Sequence, residues 1–330
     1  KIEGQTIGLV VMALAAGGAA CHMFMSSRQT AKEKKQYGIP KAINNSEYRD
    51  HVALAIDLAI KAGEAMRPYC DEKGTEAESD HDLNIEFKGQ PEDFCTKIDV
   101  ENERLVMDGI LARFPHHKII GEETTGTGAI PPLTKDPTWI IDPIDGTTNF
   151  AQGLPLCCVS IGFCIDGRPV MGVVYAPMTD ELFIAAAGYG AFRNGVRILP
   201  KSHAVALNHA VVCCEFGYAR DEKQVEAMVG VVENIMKAGV KSLRQIGSGV
   251  LDLCYVASGR LDVVYAGVAS EGWKPWDFCA GYVVATESGC VMEAFQQSTA
   301  EFDLYSKNHI CAQNKGLADE IRRFAMEKML

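Results

Sequence analysis

The chain has 330 residues, 47% of them hydrophobic and 23% charged, with 32 Lys and Arg against 43 Asp and Glu for a formal net charge of −11. That balance excludes a disordered, collagen-like or low-complexity chain, because nearly half the residues are available for a core. An acidic surface also argues against nucleic acid or anionic lipid as the main partner, since both are bound through basic patches that displace counterions. The length allows one large domain or two ordinary ones.

In chain order, residues 7–25 come first as a stretch without Asp, Glu, Lys or Arg, 19 residues long and just able to span a bilayer as a helix. Arg28, Lys32, Lys34 and Lys35 follow it, a flank that favours a single-pass anchor with the remainder in the cytoplasm. A removable targeting peptide and an Ala/Gly-rich extension that never inserts are the two other readings. A polar linker brings this N-terminal part, residues 1–45, to its end; residues 46–330 are expected to form a single catalytic domain.

Asn45, Ser46 and Glu47 open a helix whose apolar face, Val52, Ala55, Ile56, Ala59 and Ile60, extends to about residue 66. Asp99 is positioned to cap a second, with Met107, Ile110, Leu111 and Phe114 on one face. Short β-rich runs occupy 118–120, 138–141, 159–165 and 170–175, followed by a Gly-rich hairpin at 182–192. Val225, Met228, Val229, Val232, Ile235 and Met236 mark an amphipathic helix, and further helices are expected from Ser248, from Asp277 and over 317–328. The 12 cysteines include no pair with the two-residue gap of a zinc knuckle or redox motif, and many lie in apolar runs. They read as reduced core residues of a protein in a reducing compartment.

The chemistry is concentrated in turns that follow strands. In Trp139-Ile140-Ile141-Asp142-Pro143-Ile144-Asp145-Gly146-Thr147-Thr148-Asn149-Phe150, a buried strand runs into two acids with a stiff proline between them. Paired carboxylates beside an exposed carbonyl suit a hard divalent cation such as Mg2+. A helix begun by Gly146-Thr147-Thr148 would aim its first N–H groups at an anion. An ordinary Asx-Pro turn with a helix cap explains the same residues. Two further acidic turns, Gly121-Glu122-Glu123 and Trp276-Asp277, shift the balance toward one metal-binding cluster.

These motifs resemble those of the inositol monophosphatase family, the Mg2+-dependent, lithium-sensitive sugar-phosphate phosphatases. The matching residues are Gly121-Glu122-Glu123, the run from Trp139 to Phe150 continued by Gly153-Leu154-Pro155 and Val159-Ser160-Ile161-Gly162-Phe163, and Trp276-Asp277 with Ala280-Gly281 and Glu287-Ser288-Gly289. The resemblance covers about residues 46–315 and implies an α/β layered sandwich of alternating helices and sheets, found as a homodimer. It implies that Glu122, Asp142 and the Ile144 carbonyl hold one Mg2+, that Asp142, Asp145 and Asp277 hold a second, and that a third binds near Glu122. It also implies catalytic roles for Glu122, Thr147 and Asp99, a phosphate site at Ile144, Asp145 and the Gly146 and Thr147 amides, and a sugar pocket along Gly247, Ser248 and Gly249, with Asp277 at its edge. The activity implied is two-metal hydrolysis of a phosphomonoester, inositol monophosphate foremost.

The sequence departs from that pattern in the segment 265–275, which is longer than usual and lacks an acid at the expected place. Glu271 is either a substitute ligand for sugar hydroxyls or a solvated loop residue, and Lys88 is either beside the metal site or exposed. A related phosphatase acting on histidinol phosphate, a hexose phosphate or a nucleoside bisphosphate is the nearest alternative. A non-catalytic Mg2+ or inositol phosphate sensor is the alternative from another class. No P-loop is present, and Gly247-Ser248-Gly249 lacks the third glycine of a dinucleotide turn.

Overall fold

The β-branched and aromatic runs between residues 118 and 197 pair into the larger of two main sheets. The computed structural model describes residues 37–329 apart from 77–82, 90, 201–204, 270–272 and 296–302. Helix α1 (Arg49–Glu72) leads to a small hairpin, β1 (Glu86–Phe87) and β2 (Phe94–Cys95), and then to α2 (Lys97–Arg113). Next come β3 (Lys118–Gly121), the short α3 (Glu122–Thr125), β4 (Thr138–Asp145) and α4 (Thr147–Ala151). Strands β5 (Cys158–Ile165), β6 (Arg168–Ala176), β7 (Glu181–Ala186), β8 (Gly190–Arg193) and β9 (Val196–Arg197) complete a seven-stranded sheet in sequential order from β3. Only β3 and β4 are parallel in it.

The second sheet has the order β11-β10-β12-β14-β13, in which β14 runs against the other four strands. Its members are β10 (Val211–Glu215), β11 (Ser242–Arg244), β12 (Val263–Ala266), β13 (Val291–Glu293) and β14 (His309–Ala312). Between them run α5 (Glu222–Lys237), α6 (Gly249–Ala257) and α7 (Cys279–Ser288), with α8 (Lys315–Met326) at the end. Strand periodicity divides the core: Cys213, Val264 and Cys311 face α6 and α7, whereas Val212, Cys214, Val263, Tyr265, Ile310 and Ala312 face α5 and α8. The layers are therefore α1/α2, the large sheet, α6/α7, the small sheet and α5/α8, the expected layered sandwich.

Two glycines set the separation at the centre of this stack. Gly162 of β5 and Gly172 of β6 are cross-strand partners, and a methyl on either would strike Cys279 or the backbone of Ala280 at the start of α7. Without side chains there, α7 lies directly on the sheet and carries the residues before it to the end of β4.

Several boundaries differ from expectation. Ser46 closes a turn by donating to the Ile43 carbonyl, so α1 starts at Arg49, and it runs through Pro68 to Glu72. Asp99 is not the cap of α2: Thr96 is, and Asp99 at the third helical position accepts from the Thr96 amide at 2.8 Å in a capping box. Asp277 ends a 3₁₀ turn, Pro275–Asp277, and α7 begins two residues later. Helix α5 buries Ala227, Met228, Val231 and Ile235 and leaves Val225, Val229 and Met236 exposed. Leu111 of α2 is likewise outside the core. The 11 cysteines among the described residues are all free thiols, buried except for the half-buried Cys70. No described helix is long and apolar enough to cross a membrane, and the span expected at 7–25 lies outside the described residues.

Candidate active site

Strand β4 brings the site together through an irregularity. In a regular strand Asp142 and Asp145 would point to opposite faces. Here Asp142 pairs with Ser160 and Asp145 with Cys158, three steps on β4 against two on β5, so the bulge between them turns both acids toward one cleft. Pro143 sits in this bulge, where its missing N–H breaks no ladder bond. The Ile144 amide donates to Asp142 Oδ1 at 3.0 Å and fixes that carboxylate.

Two neighbouring elements add the remaining acids. The parallel register of β3 with β4 sets Gly121 opposite Ile141, and Glu122 therefore emerges beside Asp142. Asp277 comes from the 3₁₀ turn in front of α7, its Oδ2 accepting from the Lys274 amide at 2.6 Å. Carboxylate oxygens of Glu122, Asp142 and Asp277 all lie within 4.8 Å of one another. They share a cleft of ≈ 570 Å³ with Asp145, Gly146, Thr147 and the Gly247-Ser248-Gly249 segment.

Asp145 is held from the far side of the cleft. The hydroxyl of Ser248 and the amide of Val250, at 3.0 Å, both donate to its Oδ2. Ser248 occupies the first position before α6 without capping it, so its hydroxyl serves Asp145 rather than its own helix. Thr147 Oγ1 lies 3.3 Å from Asp99 Oδ1 and 3.0 Å from the Ile144 carbonyl. Gly146 precedes α4 with φ +85, a left-handed conformation that suits glycine, and a side chain there would press on the Leu156 and Gly247 carbonyls.

The cleft is strongly anionic. Burial, then the charges of Glu122, Asp145 and Asp277, push the Asp142 carboxyl well above its usual range. Burial, then Glu122 and Asp145, do the same to Asp277. Burial raises Asp145 to about 7 against the bonds from Ser248 and Val250, and raises Asp99 to about 6 against those from Thr96. Lys88 and Lys274 are the ammoniums lining the cleft, and Lys88 lies 2.9 Å from Glu122 Oε1 and 2.8 Å from Glu123 Oε1, with only 9% of its side chain exposed. The reading of Lys88 as a residue beside the metal site is the one its geometry supports. An oxygen-only donor set with so little compensating positive charge fits a hard divalent cation.

Some contributors gave no sequence signal. Glu103, inside α2, accepts from the Glu123 and Thr124 amides at 2.8 and 2.7 Å and so fixes the turn that carries Glu122. Asn149 donates to the Leu156 and Ile246 carbonyls, both at 2.8 Å, joining the two sides of the cleft floor. Glu271 lies outside the described residues.

Comparison with known proteins finds a matching family and relatives along most of the chain. A model of the inositol monophosphatase family matches residues 47–328. Inositol monophosphatase 3 of Solanum lycopersicum is 40% identical over 276 residues, covering 83% of this chain and 96% of the relative. Inositol monophosphatase 2 of the same plant is 42% identical over 271 residues, 82% of this chain and 96% of that one. Among solved structures, the IMPase of Thermotoga maritima superposes with a TM-score of 0.70 at 31% identity, covering 84% of this chain and 97% of its own. With the family model, these relatives and the layered fold in agreement, the chain belongs to the inositol monophosphatase family.

Proposed function

We propose that this protein hydrolyses phosphomonoesters in a Mg2+-dependent reaction, with inositol monophosphate as the leading substrate. The convergence of Glu122, Asp142 and Asp277 within 4.8 Å, in a cleft that also presents Gly146 and Thr147, carries this reading. Glu122, Asp142 and the Ile144 carbonyl would hold one Mg2+, Asp142, Asp145 and Asp277 a second, and a third would lie near Glu122. Bound there, the ions would supply Lewis-acid activation of water and neutralise charge developing on the phosphoryl and leaving oxygens.

The chain's own groups divide the remaining work. Thr147 Oγ1, 3.3 Å from Asp99, can orient the attacking water and pass its proton to a carboxylate that burial has raised to about 6, a useful value for a base near neutrality. The Gly146 and Thr147 amides face the phosphate, where preorganised donors stabilise charge on the equatorial oxygens. Gly247, Ser248 and Gly249 border the sugar side, and Glu271 is assigned to the sugar hydroxyls. Residues 46–330 act as one catalytic domain in a homodimer, with 1–45 as an addition that anchors or targets it.

A panel of inositol monophosphates, histidinol phosphate, hexose phosphates and nucleoside bisphosphates, assayed for phosphate release with Mg2+ and lithium titrations, tests the reading. Mg2+-dependent release, fastest on an inositol monophosphate and inhibited by lithium, is expected. Cation binding without turnover on any substrate would leave a sensor, and a different fastest substrate would reassign the specificity.

A further inference from the structure

At the wall of the cleft, which Glu215 helps to line, Cys213 and Glu215 of β10 and Asp252 of α6 form a second group whose donor atoms lie within 4.8 Å of one another. Asp252 is fully buried, and its Oδ1 accepts from the Cys213 thiol at 3.2 Å. Its Oδ2 meets no hydrogen-bond donor, and the same Cys213 thiol lies 3.6 Å from Glu215 Oε1. Burial, then the negative charge of Glu215, raises the Asp252 carboxyl well above its usual range.

Glu215 holds the polypeptide beside it. Its Oε1 accepts from the Ile246 amide at 2.8 Å and from the Gly247 amide at 3.0 Å. The next residues, Ser248 and Val250, donate to Asp145, and Asn149 draws on the Ile246 carbonyl from the other side. We propose that Glu215 is a positioning residue for Asp145: it fixes the start of the 246–250 segment so that Ser248 and Val250 reach the metal-facing carboxylate. The inference rests on the divalent-cation reading above and extends it to a residue outside the proposed set of cation ligands.

Mg2+ binding by the purified full-length chain, followed by calorimetry and by thermal midpoint without substrate, tests this. Glu215→Ala should weaken Mg2+ binding about 10- to 100-fold, the usual effect of losing a residue that orients a ligand. Glu215→Gln keeps an acceptor oxygen for the Ile246 and Gly247 amides, and is expected to bind Mg2+ within about twofold of wild type. A residue that only supports the fold would lower the metal-free midpoint in Glu215→Ala and leave Mg2+ affinity unmoved, which would overturn the proposal. A loss in Glu215→Gln as large as that in Glu215→Ala would overturn it too, and should Glu215→Ala not fold, a tenfold loss in Glu215→Gln alone decides against it. Wild-type protein that binds no Mg2+ would refute the cation reading itself, whereas equal binding by wild type and Glu215→Ala refutes only the positioning role.

Discussion

Asp142 bears the repulsion of Glu122, Asp145 and Asp277 at once, in a position with 1% exposure. A buried carboxylate with those neighbours destabilises the metal-free fold, and the same field favours a bound cation. Asp142→Asn removes a negative charge while keeping the acceptor oxygen that takes the Ile144 amide. The metal-free variant should therefore melt at or above the wild-type temperature, while phosphate release at saturating Mg2+ falls at least about 100-fold, the effect of several kcal/mol lost from the transition state. Near-normal turnover in a folded Asp142→Asn protein would remove this residue from the site. Glu122, Asp142 and Asp277 were legible in the sequence because each stands where a hydrophobic run ends in a turn. Glu103 and Asn149 were not, since a Glu within a helix and an Asn within a turn have many ordinary uses, and nothing local marks which backbone amides or carbonyls they will meet.

At the scale of elements, the large sheet could be read because its strands β4 to β7 have six to nine residues and their β-branched runs are bounded by turn residues. The small sheet was missed. Its strands β11 and β13 have three residues each, and β12 and β14 have four, too few for alternation to show above background. The bulge in β4 was equally hidden, because period-2 reasoning cannot tell which strand carries an extra residue. What joins these elements into a site is close packing of α7 on β5 and β6 over Gly162 and Gly172. Gly172→Val should push Ala280 off the sheet, costing about 1–3 kcal/mol in urea denaturation, in the range of overpacked cores. Because Asp277 lies three residues before Ala280, the same variant should also need more Mg2+ for half-maximal phosphate release. Full stability with unchanged Mg2+ demand would show that the contact at Gly172 does not set the position of Asp277.

For the whole molecule, the net charge of −11 has a local component in the cleft acids, so stability is expected to depend on divalent cation and on pH in separable ways. Mg2+ at about 100 times its dissociation constant should add about 2.7 kcal/mol to the unfolding free energy through mass action, and EDTA should remove it. The pH dependence can be isolated at His309, which is 1% exposed, stacks near Trp273 and Phe278, and is lowered by burial to about 3. Its ordinary value is about 6.5, so between pH 6.5 and 3 the unfolded chain binds a proton there that the folded chain does not. Stability at this residue is complete above about pH 6.5 and is lost as the pH falls toward 3. The cleft carboxylates, raised by burial, change stability in the opposite direction over part of that window, so the wild-type curve alone cannot isolate the histidine. The difference between wild type and His309→Phe can, because packing changes contribute a constant offset. With EDTA present, that difference should shift in favour of the variant by up to about 1.4 kcal/mol for each unit of acidification across the window. Parallel stability curves from pH 6.5 to 4 would mean that His309 takes up its proton within the folded protein.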